Sequence, residues 1–459
     1  METKNIDIAI IGAGLTGLTT AFWLTRAGKK IQIIERQDRA GGQIRTFQEN
    51  GFVYESGPNT GVVSYPEVAE LFAALSPDCT LETAREESKK RWIWKGNKFH
   101  ALPSGLVSAV TTPLFTLYDK FRILGEPFRA KGTNPDESVA ELAARRLGKS
   151  FVDYAVDPFL SGVYAGNPHT LVTRHALPKL YNLEQDYGSF IKGSIAKAKL
   201  PKTERDKLAT KKVFSAVGGL ERLAEALVKA IGKEQITLSA SEVKIQPQGK
   251  QWLISYRTPE GEQSLIANKV VTTCGAYALP DLLPFIPKED IGQISNLHYA
   301  PIIQASVGFH NTHGLQFGAF GGLVPSKEKR DVLGILFPSA CFVGRSPEEG
   351  ALFSFFIGGV RHADMLDWSD EKLKDMILKN IHSMLKFPAD AQPDLIKIHR
   401  HQKAIPQYEK SSEARFKMIE ELQARYPGLT LAGNIKGGIG MADRIRQATG
   451  IAKELISAD

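Results

Sequence analysis

The sequence predicts an α/β protein, α+β overall, in which a discontinuous Rossmann-like domain is combined with a mixed-sheet domain and a helical domain. Three observations predict this. A strand, a glycine-rich turn, a helix and a second strand follow one another over residues 6–34. Residues 104–190 have helical spacing with few strand signals, and alternating strands and helices return after residue 212. The helical region therefore interrupts a chain that otherwise builds two sheets.

The first motif is typical of a nucleotide-binding turn. Ile6–Ile11 is an apolar run suited to a buried parallel strand, and Leu15–Ala27 has helical spacing. Between them, Gly12 allows a tight turn, Gly14 lets the backbone approach a pyrophosphate, and Gly17 lets helix and strand pack closely. Free N–H groups at the helix N-terminus favour an anion, so we predict that this turn binds a dinucleotide.

The next residues favour FAD over NAD. The second strand ends at Glu35, at the spacing expected of an acid that accepts hydrogen bonds from ribose hydroxyls. A second turn, with two glycines and two cations, follows at Arg39, Gly41, Gly42 and Arg45. This turn could close over the same pyrophosphate, whereas a simple NAD domain does not need it. An ordinary surface loop with solvated arginines is the alternative.

Length and composition are those of a globular protein with two or three domains. The chain has 459 residues, a net charge of +8 and a sequence pI near 9.1, which leaves nucleic acid, anionic lipid and a polycarboxylate open as partners. Its three cysteines form no CxxC pair, so a reducing compartment fits best and no zinc site is indicated. We expect no signal peptide, and no apolar run reaches the ~18 residues of a spanning helix.

Residues 51–103 predict a strand, a short helix and a hairpin. Gly51–Thr60 alternates apolar and polar residues and then breaks at Gly57-Pro58, and Pro66–Leu75 has helical spacing. Lys89–Pro103 has a Gly-Asn centre between aromatic residues, which predicts a β-hairpin with Arg91 at its start. A solvated surface charge is the alternative role for Arg91.

The helical region contains an apolar band and is followed by a basic stretch. The band comprises Leu106, Val107, Val110, Leu114, Phe115, Leu117, Tyr118 and Phe121. A core face is the favoured interpretation of this band, and a membrane-facing surface is the alternative. Residues 192–212 are rich in lysine and predict an exposed linker, which is either a solvated face or a surface attracted to anionic lipid.

The alternating pattern resumes near Phe214, where we predict a turn that opens a helix. A hairpin of Trp252–Tyr256 and Ser264–Ala267 is expected next, and then a separate buried strand, Lys269–Thr273, which returns to the first domain.

From about Leu297 the chain is rich in strands. With a helix over Ser369–Leu385 and a strand at Leu395–His399, this part predicts a second, larger sheet with a helix behind it. The last elements are a strand, Leu429–Ala432, a glycine-rich turn and a helix, Met441–Leu455. A second glycine-rich helix N-terminus could direct N–H groups at a flavin ring, whose reduced form is negatively charged.

Three separated segments, GAGLTG, VGGLERLAEAL and AGNIKGGIGMADRI, together resemble the FAD-dependent protoporphyrinogen oxidase family of the flavin amine oxidase superfamily. The helical segment DESVAELAARRLGKSFVDYAVDPFLSGVYAGNPHTL and the strands GGLVPSKE and FSFFIGG are similar to that family along essentially the whole chain. The second turn resembles its RxGGRxxT pattern, with Gln43 where Arg is frequent. The resemblance implies an FAD-binding (Rossmann-like FAD/NAD(P)) domain at 1–84, 212–296 and 426–459, a substrate domain at 85–95 and 297–425, and a helical, membrane-associating domain at 96–211.

The resemblance also implies an activity. Protoporphyrinogen IX would lose six electrons in three hydride transfers to FAD, with O₂ as the usual acceptor, as a step of heme biosynthesis. A methylene bridge between two pyrroles can release hydride because the resulting cation is delocalised, so positioning matters more than acid–base groups. We accordingly name no catalytic side chain and no metal ligand, and we expect the scattered histidines to be ordinary polar residues.

The resemblance assigns roles residue by residue. Arg91 would pair with a propionate, Leu323, Leu336 and Phe356 would enclose the macrocycle, and Gly162 would bring backbone close to a pyrrole. Val243 would contact adenine through its backbone. The predicted cofactor-binding residues are Gly12, Gly14, Leu15, Thr16, Gly17, Glu35, Arg36, Gly41, Gly42, Arg45, Gly57, Pro58, Asn59, Val243, Gly433, Ile439 and Met441.

Three alternatives stay open at this point. Coproporphyrinogen III, with four carboxylates, could be the substrate, although Arg91 beside apolar residues favours the less charged protoporphyrinogen. A flavin-binding scaffold without turnover and another flavin amine oxidase-like dehydrogenase are less favoured. No nucleic-acid motif supports a nucleic-acid partner. We expect a cytoplasmic protein associated peripherally with the anionic cytoplasmic face of the inner membrane, and the sequence leaves a homodimer open.

Overall fold

The computed structural model describes residues 4–458, except for the side chain of Leu106; residues 1–3 and 459 of the predicted first domain lie outside this part. Its strands are β1 (Lys4–Ile11), β2 (Ile31–Ile34), β3 (Thr46–Glu49), β4 (Phe52–Glu55), β5 (Gly61–Val62), β6 (Leu81–Thr83), β7 (Arg91–Lys95), β8 (Lys98–Ala101), β9 (Val213–Ala216), β10 (Ile236–Thr237), β11 (Ser241–Gln248), β12 (Gln251–Thr258), β13 (Gly261–Thr272), β14 (Tyr299–Phe309), β15 (Gly321–Leu323), β16 (Gly334–Leu336), β17 (Ala351–Gly358), β18 (Leu395–Pro406) and β19 (Leu429–Leu431).

The α-helices of this part are α1 (Leu15–Arg26), α2 (Pro66–Leu75), α3 (Leu106–Thr111), α4 (Leu117–Leu124), α5 (Val139–Arg146), α6 (Lys149–Phe151), α7 (Asp157–Tyr164), α8 (Thr173–Ala176), α9 (Pro178–Tyr187), α10 (Phe190–Ala198), α11 (Glu204–Lys207), α12 (Glu221–Ile231), α13 (Leu279–Leu282), α14 (Lys288–Ser295), α15 (Pro338–Cys341), α16 (Asp370–Asn380), α17 (Ser412–Arg425) and α18 (Met441–Ser457). Segments of π-helix, Val152–Val156 and Ile381–Leu385, follow α6 and α16.

The first sheet has seven strands in the order β10-β2-β1-β13-β12-β11, with β19 also paired to β13. β1 pairs in parallel with β2 and β13, and β19 extends the parallel part. Helices cover both faces, so the inner strands are apolar along nearly their whole length. The predicted Rossmann-like α/β fold is confirmed.

The predicted hairpin is confirmed as β12–β13, but its second strand and the predicted separate strand Lys269–Thr273 form one twelve-residue element, β13. Its first half pairs antiparallel with β12, whereas its second half lies between β1 and β19. The sequence pattern therefore changes from alternating to continuously apolar within a single strand. A second correction is β9, a short strand where a turn was predicted at Phe214.

The second sheet also has seven strands, in the order β18-β14-β17-β16-β15-β7-β8, so the prediction that it is larger is wrong. Its back face packs on α16, as predicted, in a core of aromatic and aliphatic residues. The hairpin β7–β8 belongs to this sheet, and the predicted domain boundary at 95/96 would separate its two strands.

The predicted core face in the helical region is largely wrong. Val107 is 79% exposed, and Val110, Leu117, Tyr118 and Phe121 are also exposed on α3 and α4. Among the apolar residues of this band whose side chains the structure describes, those buried are Leu114 and Phe115, in the connection between the two helices. Helical spacing is the same for a face that meets the core and for one that meets solvent, so the pattern could not distinguish them.

A buried ion network supports this exposed surface. Arg146 on α5 donates to Glu126 and Glu184, and all three side chains are buried. Glu126 also accepts hydrogen bonds from the N–H groups at the start of α10. The network joins the segment after α4 to the lysine-bearing α10. Within residues 4–458, no helix is long and apolar enough to cross a membrane.

Candidate functional site

The first part of the site lies where β1, β13 and β19 end together. Gly12, with φ +106°, leaves β1, and the Thr273 hydroxyl donates to its carbonyl at 3.1 Å. Gly433 packs so closely on the Thr273 carbonyl that a β carbon would lie 2.8 Å from the oxygen. Ligands of doubly wound sheets bind at this carboxyl edge. The two glycine-rich turns, distant in sequence, therefore border one site.

The first turn has the dimensions that a pyrophosphate requires. A β carbon on Gly17 would overlap the Gly12 carbonyl oxygen, which explains the glycine at the helix–strand contact. A β carbon on Gly14 would have no atom within 4 Å, so the backbone there borders open space. Leu15 and Thr16, at the start of α1, are buried. The N-terminus of α1 thus offers N–H groups and room for an anion.

Glu35 is fixed at the end of β2. Its carboxylate accepts the N–H of Ala13 at 2.6 Å and the N–H of Gln37 at 2.8 Å. Arg36 beside it is exposed. The backbone of Glu35 also pairs with Ala240, which brings the chain leading to Val243 to the same end of the sheet. Val243 is half-buried against the core below. The structure brings these predicted residues together.

The second glycine turn lies directly on the first. Gly41 donates its N–H to the Ala13 carbonyl at 2.8 Å, and Gly42 stands against the Cα of Gly14. The Arg39 guanidinium donates to three carbonyls of this turn and so holds its shape. Arg45 is exposed, with its guanidinium 4.7 Å from the centre of the Phe47 ring. Of the two cations in this turn, Arg39 is bound to carbonyls of the turn itself, whereas Arg45 is exposed.

The loop 55–59 connects the two sheets. The Glu55 carbonyl accepts a 2.6 Å hydrogen bond from Gln304, and Ser354 donates to the Asn59 side chain at 2.8 Å. Gly57 approaches Gln43 too closely for a side chain, and Pro58 follows it. Both Gln304 and Ser354 were missed in the sequence. Their signal is a polar residue inside an otherwise apolar strand.

Glu55 is a buried carboxylate within this connection. It accepts hydrogen bonds from the Leu220 N–H at 2.9 Å and from the Thr46 hydroxyl at 2.7 Å. Burial raises the pKa of this carboxyl to about 7. Glu55 is not among the predicted site residues.

The predicted substrate residues share one face of the second sheet. Strand register places Arg91 beside Gly321, which pairs with Leu336, and it places Leu323 and Phe356 on either side of Gly334. Directly paired residues and residues two apart lie on the same face of a sheet. Arg91, Leu323, Leu336 and Phe356 therefore line a single surface with a cation at one end.

Helix α7 covers part of this surface. A β carbon on Gly162 would overlap the Cδ2 atom of Leu323. The C-terminal turn approaches the same helix, because Ile439 packs against the apolar cluster that contains Tyr164 and Tyr408. Met441, at the start of α18, is buried. The apolar sheet face and the C-terminal glycine-rich turn thus both adjoin α7.

This arrangement can hold a dinucleotide and present an apolar, disc-shaped substrate to it. Within residues 4–458 there is no cluster of three or more His, Cys, Asp or Glu side chains that could hold a metal ion. His310 pairs with Asp394 at 3.2 Å, and His401 contacts the Ser56 carbonyl at 2.6 Å, so both have ordinary polar contacts.

Comparison with known proteins gives consistent matches over the full length. The family described as flavin containing amine oxidoreductase matches residues 15–455. The chain is 28% identical to protoporphyrinogen oxidase 2, chloroplastic/mitochondrial, of Arabidopsis thaliana, over 98% of this chain and 94% of that protein. It is 23% identical to coproporphyrinogen III oxidase of Bacillus subtilis (strain 168), over 100% and 99% of the two chains. A solved protein from Exiguobacterium sp. 255-15 has the same fold, with a TM-score of 0.81, 23% identity and 100% coverage of both chains.

Proposed function

The chain belongs to the family of flavin containing amine oxidoreductases, whose FAD-dependent oxidase activity it shares, and we propose that its substrate is protoporphyrinogen IX. The observation that carries the proposal is the sheet face on which Arg91 stands at one end of Leu336, Leu323 and Phe356. A porphyrinogen is a large apolar disc with carboxylates at one edge. Such a face can bury the disc and provide an arginine for a carboxylate.

The proposed reaction is oxygen-dependent. Bound FAD would supply the hydride acceptor, and O₂ would reoxidise it after each transfer. Three hydride transfers, each accompanied by the loss of one proton from the substrate, would convert protoporphyrinogen IX to protoporphyrin IX in heme biosynthesis. Arg91 holds a propionate, while Leu323 and Phe356 keep the ring plane fixed against α7. This positioning brings a methylene bridge to the cofactor and excludes water from the site.

Charge pairing near the face favours protoporphyrinogen over coproporphyrinogen III. Arg91 is exposed and forms no ion pair within residues 4–458; its guanidinium lies 5.3 Å from the Phe320 ring. Two other cations near α7 are already neutralised, since Lys327 pairs with Asp153 and Arg361 pairs with Asp157. Of these three described cations, Arg91 alone lacks a protein carboxylate, which suits a substrate with two carboxylates better than one with four. Coproporphyrinogen III remains the second candidate because of the Bacillus subtilis relative.

Porphyrin fluorescence tests the proposal. The purified, FAD-loaded protein is mixed in air with protoporphyrinogen IX or coproporphyrinogen III, and the initial rates are compared. We expect a higher kcat/KM for protoporphyrinogen IX, and a higher value for coproporphyrinogen III would reverse the assignment. Anaerobic mixing reads the flavin directly, because a scaffold without turnover would leave it yellow.

We further propose that the protein associates peripherally with the anionic cytoplasmic face of the inner membrane. Exposed apolar side chains on α3 and α4 continue into Phe128, which is 87% exposed. Lys192 on α10 lies 5.6 Å from the Phe128 ring, so a basic helix adjoins the apolar surface. Apolar side chains that enter a bilayer surface and lysines that meet anionic headgroups contribute together to such binding.

A further inference from the structure

Two buried arginines hold the C-terminal glycine-rich turn. Arg444, on α18, is 8% exposed, and its guanidinium donates to the carbonyls of Gly433, Lys436 and Gly438. Arg415, on α17, is 1% exposed and donates to the Ile435 carbonyl at 3.0 Å. Four carbonyls of residues 433–438 are therefore turned towards two cations.

Neither arginine has a carboxylate partner in the part of the chain that the structure describes. Besides the turn, Arg444 bonds only the Gln447 side-chain oxygen, at 2.9 Å, and its Nε atom is buried without a partner. Arg415 has the Ser412 hydroxyl at 3.1 Å and the aromatic rings of Tyr408 and Phe416. An arginine stays charged in a protein, so two positive charges are buried with only neutral partners.

This arrangement is costly for the protein alone. Burying an ion without an opposite charge is unfavourable. Arg444 also lies in the first turn of α18, the positive end of the helix dipole, where a cation is disfavoured. Asp443 is the acid in the same turn, but its carboxylate is bound to the Gly440 N–H at 3.1 Å and to the Tyr65 hydroxyl at 3.1 Å.

The turn is placed where an anionic ligand would compensate these charges. At one end, Gly433 packs on Thr273 beside the Gly12 turn, and at the other, Ile439 packs against the apolar cluster that includes Tyr164 of α7. Within residues 4–458 the N–H group of Gly437 donates to no protein group. With four carbonyls of the turn bound to the arginines, the Gly437 N–H and the positive charge of the two cations are left for an anionic ligand beside the turn.

We propose that Arg415 and Arg444 form a buried pair of positive charges that stabilises the reduced, anionic form of the bound flavin. Hydride transfer adds two electrons and one proton to FAD, which leaves one negative charge when no second proton is taken up. The arginines act through the turn as positioning residues and do not touch the substrate. The inference rests on the FAD assignment and not on the choice of porphyrinogen.

The test measures the two-electron reduction equilibrium of the holoprotein against a reference dye under anaerobic conditions, with FAD content and melting temperature recorded in parallel. Arg444→Met should shift this equilibrium towards oxidised flavin at least tenfold, which is about 30 mV for a two-electron couple. Arg415→Met should shift it in the same direction. Arg444→Lys keeps the charge and should shift it much less.

Two further variants separate charge from structure. Arg345 is also buried; it donates to the Ser215 hydroxyl and the Ala216 carbonyl and lies 3.6 Å from the Glu82 carboxylate, and none of these groups belongs to the C-terminal turn. Arg345→Met should lower the melting temperature and leave the reduction equilibrium unchanged. Asp443→Asn removes a negative charge and should shift the equilibrium towards reduced flavin. An Arg444→Met holoprotein with the parent equilibrium, or equal shifts in the Met and Lys variants, would overturn the proposal. If Arg444→Met does not retain FAD, the Asp443→Asn protein decides the question, and an unchanged reduction equilibrium in that variant would overturn the proposal.

Discussion

Gly162 and Leu323 occupy adjoining positions with no space for a methyl group between them, since a β carbon on Gly162 would overlap Leu323 Cδ2. A side chain at Gly162 must therefore displace Leu323 along the sheet face. We expect Gly162→Ala to lower kcat/KM for the porphyrinogen by roughly tenfold, because misplacing a bound substrate by ~1 Å commonly lowers the reaction rate by one or more powers of ten. Steady-state kinetics measures it, with FAD content as the check on folding.

A double variant makes this coupling specific. Leu323→Ala removes the atom that the new methyl would meet, so Gly162→Ala should cost less in the Leu323→Ala background than alone. Gly292, on α14, has only the Asn296 side chain near its β-carbon position, at 3.8 Å, and Gly292→Ala serves as the neutral control. Additive effects of the two pocket changes would contradict the contact.

Gly14→Val should abolish FAD binding while the protein stays folded. The space beside Gly14 is open in the structure, so a branched side chain fits the protein but takes the place of the pyrophosphate. The bound flavin is measured by absorbance after gel filtration, and circular dichroism reports folding. Gly17→Val is the contrasting variant and should unfold the protein, because its side chain would meet the Gly12 carbonyl. Retention of flavin in Gly14→Val would exclude the predicted position of the pyrophosphate.

Arg91→Ala should raise KM for the porphyrinogen by roughly tenfold or more, lower kcat less and leave FAD bound. Truncating one member of a charge pair costs on the order of 2–5 kcal/mol, and the exposed position of Arg91 places the cost near the lower limit. The effect should fall on KM because the arginine binds the propionate equally in ground and transition states. Lys98→Ala, an exposed cation on the next strand, is the control and should leave KM unchanged. An unaltered KM in Arg91→Ala would remove this residue from the site.

Glu55 should make the folded protein less stable as pH rises from about 4.5 to 7. Its pKa is raised in the folded state, so the native protein binds more protons than the unfolded chain across this interval. Ionisation of this buried carboxyl lowers the free energy of unfolding by at most about 3 kcal/mol. Denaturant unfolding at several pH values should show that Glu55→Gln flattens this slope. A parallel slope in the variant would assign the pH dependence to other groups.

Phe121→Ser combined with Phe128→Ser should weaken binding to anionic vesicles at least tenfold. Both phenylalanine side chains are exposed, and each substitution removes apolar area that would enter the headgroup region. Vesicle sedimentation measures the binding, which should also fall as salt rises, because lysine–headgroup attraction is screened. Val343→Ser, at a residue that follows α15 and is 73% exposed, is the matched control. Equal vesicle binding by both variants would place the membrane contact elsewhere.

The local motifs could be predicted because residue type and spacing along the chain are enough to define the turn they form. Gly12, Gly14 and Gly17 lie within one turn, and Glu35 follows at the end of the next strand, so no tertiary knowledge was required. The roles of Arg415 and Arg444 could not be predicted in this way. Each binds carbonyls of a separate segment, and a basic residue inside a helix is ordinarily solvent-exposed.

The orientation of surfaces was the least predictable property. The pattern over α3 and α4 was interpreted as a core face, yet its apolar residues are exposed, because periodicity defines a face without saying what covers it. In the second sheet, Gln304 and Ser354 mark the face that meets loop 55–59, and only the register shows that Arg91 shares it.

The order of pairing around β1 also affects how the chain folds during synthesis. β1 emerges from the ribosome early, whereas its second partner, β13, follows only after the helical region, and β19, which pairs with β13, follows after the second sheet's last strand. Until β13 has been made, one edge of the apolar segment Ile8–Ile11 has no partner, and such edges promote aggregation. Pairings this distant in sequence also form slowly. The nascent protein should therefore depend on chaperones that shield its N-terminal strand, and FAD can be enclosed only after translation has passed α18.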